Sequence, residues 1–167
     1  MLINDDLSRR VQNWHSGLLG DYTLHSPLQF IGKLESQYII KHATSKDGLD
    51  WKRNNAQVIP FKVENECQTT PAIMKLGGTY HMFFCYRYGL DFRADRERSY
   101  RIGYAYSDDL FKWTRDDSKA GIVVSETGWD SQMIEYPHIF EINGKHIMLY
   151  CGNHFGKEGF GYAELEI

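Results

Sequence analysis

The stretch YIIKHATSKDGLDW, Tyr38 to Trp51, is written again with little change as YRIGYAYSDDLFKW, Tyr100 to Trp113. The two match at Tyr38/Tyr100, Ile40/Ile102, Ala43/Ala105, Ser45/Ser107, Asp47/Asp109 and Trp51/Trp113, and Arg53/Arg115 extends the match. Every pair is 62 positions apart, so no gap is needed. A repeat at such a period means that one supersecondary unit is used more than once, which restricts the possible folds before any other feature does.

A second pair of segments keeps nearly the same period. PAIMKLGGTYHMFFCYR from Pro71 and PHIFEINGKHIMLYCGN from Pro137 agree at Pro71/Pro137, Ile73/Ile139, Gly78/Gly144, Met82/Met148 and Cys85/Cys151, all 66 apart. In each, two apolar runs flank Gly77-Gly78 or Asn143-Gly144. Those dipeptides tolerate positive φ at both turn positions, so each copy predicts a β-hairpin. The Ala-x-Ser-x-Asp text then supplies a third strand ending in a Ser/Asp turn, and the Trp opens a fourth. Four antiparallel strands per repeat predict an all-β chain of propeller blades.

About two and a half such blades are expected, fewer than the roughly four that close a propeller. GFGYAELEI repeats the third-strand text, Phe160–Ala163 echoing Ile102–Ala105. Upstream, HSPLQFIG (25–32) reads as the remnant of an inner strand, with Pro27 in the place of Pro71 and Pro137, and the second strand is missing. Residues 1–30 are thus an N-terminal segment of unclear role, and 31–167 the blade repeats. An open arc leaves strand edges and apolar faces wet. Such a chain is expected to be part of a longer protein or to assemble, as a homodimer that completes the ring.

Composition narrows the partners. With 19 basic and 22 acidic residues, the chain lacks the basic excess of a nucleic-acid or anionic-membrane binder. No stretch approaches the roughly 20 apolar residues of a membrane span, and the first residues hold no signal-peptide run. Three cysteines, none spaced CxxC, speak against a disulfide framework or structural zinc, and a cytoplasmic location is expected. Aromatic residues make up 14% of the chain, which suits both strands and sugar-binding surfaces.

The order GTYHMFFCYR … YRIGYAYSDDLFKW … GWDSQMIEYPHIFEINGKHIMLYCGN … GFGYAELE resembles the later blades of the five-bladed propeller glycosidases, a group that includes arabinanases, β-xylosidases, invertases and levansucrases. The resemblance covers roughly residues 36–167. It implies a partial β-propeller of five-bladed type, a funnel at the axis that takes a carbohydrate, and carboxylates at the beginnings of innermost strands. Glycosidic cleavage needs one carboxylic acid to protonate the leaving oxygen and one carboxylate to attack or to activate water.

By that resemblance Glu135, in IEYPHIF, is the first choice for general acid, and Glu66, in ENECQTTP, the second. The family's nucleophile or base lies in the first blade, which has no counterpart here; Asp21 is the nearest upstream acid. Arg87 ends a second strand in a loop rich in arginine and tyrosine, suited to sugar hydroxyls or anions. Asp130 and Trp129 lie in the lead-in to an inner strand, as a funnel-lining carboxylate and a ring that could stack on a sugar. Asn153 and His154 are further ligand-binding candidates. No cofactor is expected and no metal set is spaced in the sequence, although the resemblance leaves open an ion near His138. The alternative is a non-catalytic carbohydrate-binding or assembly module, or an inactive fragment of a longer glycosidase.

Overall fold

A computed structural model describes residues 16–30 and 33–166. Strands β1 (Ser16–Phe30), β2 (Lys33–Ser45) and β3 (Trp51–Gln57) form one sheet in that order. The second sheet runs β4 (Cys67–Leu76), β5 (Thr79–Arg87), β6 (Arg101–Ser107) and β7 (Thr114–Arg115). The third runs β8 (Glu135–Ile142), β9 (Lys145–Cys151) and β10 (Phe160–Glu164). All neighbours are antiparallel, and among the described residues there is no α-helix. The chain is all-β, a partial β-propeller of successive blades.

Both repeats recur as structure. The two hairpin turns take the left-handed values that their sequences allow, φ 58° and 93° at Gly77–Gly78 and 52° and 75° at Asn143–Gly144. The outer turns share one hydrogen-bond scheme. Asp47 Oδ1 accepts from the Leu49 and Asp50 N–H groups, and Asp109 Oδ1 from those of Phe111 and Lys112. Each turn is then closed by its tryptophan indole, Trp51 onto the Gly48 carbonyl and Trp113 onto that of Leu110.

The central sheet is covered on both faces, which explains why MFFC in β5 lacks the polar alternation of a half-wet strand. Met82 and Phe84 pack with Ile40, Ile59 and Ala105 toward the first sheet. Phe83, between them, points the other way and packs with Ile102, Tyr104, Ile134 and Met148 against the third. Strand period places alternate residues in two different cores, and so stacks blade on blade.

One expectation is corrected. Residues 25–30 of HSPLQFIG are not an inner-strand remnant separated from β2 by a missing strand, and residues 31 and 32 lie outside the described residues. Residues 25–30 end β1, and His25, Leu28 and Phe30 pair directly with Gln37, Glu35 and Lys33 of β2. Since β2 matches β6, β1 holds the place that β5 holds in the next blade. Residues 16–30, within the segment whose role the sequence left unclear, form a strand of the first sheet.

Candidate functional site

Glu135 opens β8 opposite Cys151, and the strand is bulged between Glu135 and His138. The bulge puts Tyr136 in the left-handed region, φ 56°, immediately before Pro137. Thr70, before Pro71, sits at the same point of β4 with φ 48°, beside a matching bulge between Thr69 and Ala72. Non-glycine residues in that region are costly and persist only where their surroundings hold them. Cys85 does so here: its Sγ accepts from the Tyr136 N–H at 2.9 Å and from the Thr70 hydroxyl at 3.3 Å. One sulfur therefore ties the two innermost strands together at their bulges, and burial raises its thiol to about 12, so it stays protonated.

The bulge turns the Glu135 carboxyl into the protein. Glu135 is 0% exposed, and among the described residues neither carboxylate oxygen has a hydrogen-bond partner. Burial pushes its pKa up to about 8, and no charged neighbour among the described residues shares in the shift. At neutral pH the group is an uncharged acid that holds its proton. Around this end of the sheets stand Tyr136, 38% exposed, then Tyr100 at 6.5 Å between ring centroids and Phe155 edge-on to Tyr100 at 5.9 Å. Burial holds the Tyr100 and Tyr136 phenols above their ordinary range.

The other residues singled out from sequence are placed as follows. Glu66 is 0% exposed, with Oε1 2.6 Å from Arg115 Nη1 and 2.8 Å from the Gln68 amide. Its Oε2 accepts from the Lys62 and Val63 N–H groups. Arg87 is buried with every guanidinium nitrogen donating inside the protein: Nε to Tyr100, Nη1 to the Tyr88 and Gly89 carbonyls, Nη2 to Tyr38 and the Ser36 carbonyl. Its plane lies 3.6 Å over the Phe92 ring. Trp129 stacks on Tyr150 at 5.4 Å, in a seat where Cβ atoms on Gly152 and Gly161 would meet its ring at 2.5 and 2.7 Å. Asp130 is buried and accepts from the Tyr150 hydroxyl at 3.2 Å.

Asn153 is a buried clamp: Oδ1 accepts from the Gln132 and Met133 N–H groups, while Nδ2 donates to the Gly128 carbonyl and to Glu158. It fixes the lead-in from which Glu135 projects. His154 is exposed and pairs with Glu158 at 2.7 Å. His138 is exposed beside Phe140. Among the described residues no three His, Cys, Asp or Glu side chains converge as a metal set. Asp21 falls on β1 opposite Ile39, and its side chain lies outside the description.

The structure thus brings Glu135, Asn153 and His154 to one end of the third sheet, with Arg87 behind Tyr100. Sequence reading passed over Cys85, Tyr100, Tyr136 and Phe155. The matched Thr70-Pro71 and Tyr136-Pro137 pairs were the available signal, since proline restricts the residue before it and so marks an irregular strand start. Nothing in the spacing says that Cys85 reaches across to the next blade.

No family model matches the chain. It is 36% identical over 136 residues to an uncharacterized protein of Mycobacterium tuberculosis, covering 81% of this chain and 42% of that protein. It is 33% identical over 111 residues to a 1,2-beta-oligomannan phosphorylase of Thermoanaerobacter sp., covering 65% of this chain and 33% of that one. The chain therefore spans less than half the length of these curated relatives. Among solved structures it resembles a family 117 glycoside hydrolase from Zobellia galactanivorans (TM-score 0.63, 24% identity, 78% of this chain and 39% of that one). An exo-1,5-alpha-L-arabinanase from a bovine ruminal metagenomic library gives a TM-score of 0.58 at 14% identity, over 92% of this chain and 53% of that one.

Proposed function

Since the chain carries blades of the β-propeller found in glycoside hydrolases, we propose that it acts on a carbohydrate and that Glu135 is the proton donor. The observation that carries this reading is the fully buried carboxyl with two unpartnered oxygens and a pKa raised to about 8. An acid that keeps its proton at neutral pH can protonate the oxygen of a leaving sugar as the glycosidic bond breaks. Neither oxygen is committed to a bond among the described residues, and burial keeps the proton on the acid until a leaving oxygen is brought against it. Tyr136 and His154, exposed on the same rim, contact the sugar. Arg87, Asn153, Trp129 and Glu66, whose polar groups or ring faces are engaged within the protein, hold the scaffold, and Asp130 orients Tyr150.

The attacking group needs separate provision. Among the described residues no charged neighbour shares in the Glu135 shift, and we propose that the second carboxylate comes from a second copy whose blades complete the ring. Light scattering on a sizing column tests this: a dimer supports the composite funnel, and a monomer with full activity sinks it. The relative named as a 1,2-beta-oligomannan phosphorylase supports testing orthophosphate beside water as the attacking species, since either one needs the same proton donor.

The test of Glu135 is turnover of glycosides with water or phosphate by the wild type and by Glu135→Gln. Loss of roughly a hundredfold or more in rate, with sugar binding retained, is expected for a general acid. The wild-type rate should fall above pH 8 as the acid loses its proton. Sugar binding by the wild type without any turnover would instead assign a carbohydrate-binding module.

A further inference from the structure

A recess lies beside the Glu135 lead-in. Its volume is about 380 Å³, and Arg93, Arg96, Ser99, Ser131 and Gln132 line it above a floor of Phe92 and Met133. The floor is firm, because Phe92 and Met133 are 2% and 5% exposed. Arg101 fixes the walls relative to each other. Its guanidinium donates to the Arg96 carbonyl at 2.7 Å, the Gln132 carbonyl at 3.0 Å and the Tyr100 carbonyl at 2.8 Å. One side chain thus joins the loop after β5 to the segment before β8, so the recess is a preformed gap between two tied segments.

Ser99 is the informative residue. It is 3% exposed, lines this recess, and its hydroxyl has no partner among the described residues. A buried hydroxyl without a partner costs free energy, so native structures keep one where something else supplies the bond. The guanidinium groups of Arg93 and Arg96 supply positive charge at the same recess. Asp95, the one carboxylate lining it, is held as a turn cap by the Glu97 N–H at 2.9 Å. Arg93 pairs with Glu35, whereas Arg96 donates from Nη2 to the neutral Ser125 carbonyl at 3.2 Å and so keeps its charge uncompensated by that bond.

We propose that this recess binds an oxyanion, with the Ser99 hydroxyl and the Arg96 guanidinium as its donors. Resting on the reading of Glu135 as a sugar-directed acid, it makes the ligand an acidic sugar, with the carboxylate, sulfate or phosphate group seated at Ser99. The same donor set would take free inorganic phosphate. A planar cation and a hydroxyl lining one recess suit such a group, and charge-assisted bonds of this kind are roughly twice as strong as neutral ones.

Calorimetric titration with inorganic phosphate, glucuronate and glucose decides the matter, using the wild type, Ser99→Ala and Arg96→Gln. The wild type should bind phosphate or glucuronate, and each substitution should weaken that binding by about tenfold, the value of one hydrogen bond to a charged group. Binding of phosphate alone would identify a free anion, and of glucuronate a sugar-borne one; both support the oxyanion. Ser99→Ala should melt no lower than the wild type, because it removes an unpartnered hydroxyl, so lost binding cannot be laid to unfolding. Glucose bound as tightly as glucuronate, no anion bound, or anion binding unchanged in both variants would overturn the proposal. Since Glu135→Gln leaves this recess intact, anion binding that persists without any turnover would reject the acid and keep the oxyanion site.

Discussion

Glu135 ties stability to pH in a direction opposite to that of a salt-bridged carboxylate. Its folded pKa, about 8, lies above the roughly 4.3 of an unfolded chain. The folded state therefore holds a proton that the unfolded state has released across the interval between them. Stability from this group is fully present below the lower value and is lost as pH rises through the upper one, by at most about 1.4 kcal/mol per pH unit. Glu135→Gln, which cannot ionise, should melt at nearly constant temperature over that interval, whereas the wild type should lose stability steadily. Thermal denaturation of both proteins from pH 5 to 9 measures it, and parallel curves would show that the carboxyl is not dry. Glu135 was legible in the sequence as a strand-entrance acid; its dryness was not, because the bulge and the neighbouring blade create it.

At the scale of the element, the third sheet is built around one tryptophan. Trp129 precedes β8 yet fills a seat made by Gly152, Gly159 and Gly161, the last of which lies in β10. A Cβ on Gly161 would lie 2.7 Å from the ring and one on Gly152 2.4 Å from the Trp129 carbonyl, which cannot yield. Gly161→Ala forces the indole off Tyr150, and overpacking of this kind costs about 1–3 kcal/mol. Urea denaturation should show that loss, together with a change in native tryptophan fluorescence. An unchanged midpoint would mean that the seat gives way freely. GFGYA was readable as a third strand from its echo of Ile102–Ala105, but its glycines were not readable as the seat of a ring written thirty residues earlier.

For the whole molecule, a few buried cations join the blades. Arg87, at the end of β5, bonds Tyr38 and the Ser36 carbonyl of the first sheet as well as Tyr100 of its own. Tyr38 and Tyr100, equivalent residues of successive copies, meet hydroxyl to hydroxyl at 2.5 Å. Arg115, also buried, ties Glu66 and the Pro60 carbonyl on the connection between sheets to the outer strand β7. A lysine cannot reproduce the fork of donors at Arg87. Arg87→Lys should therefore lower stability by about 3 kcal/mol, within the range for breaking a buried charged network. Hydrogen exchange should show β2 losing protection before β8. Equal loss in both sheets would place the joint elsewhere.

The sequence alone determined the blades. Hairpin turns, alternating strands and Ser/Asp outer turns are local events, governed by φ preferences and side-chain period, and repetition doubled each signal. It also marked Glu135 through its place before Pro137. Only the tertiary structure decided what the polar residues do. Glu66, Arg87 and Asn153 look like ligand-facing groups when read along the chain. Each finds hydrogen-bond partners both among near neighbours and among residues 13 to 51 positions away, and the two sets together engage it. Glu135 differs in finding none. Whether a buried polar side chain is an anchor or a reagent depends on which groups the fold brings to it across blades, and sequence distance holds no record of that.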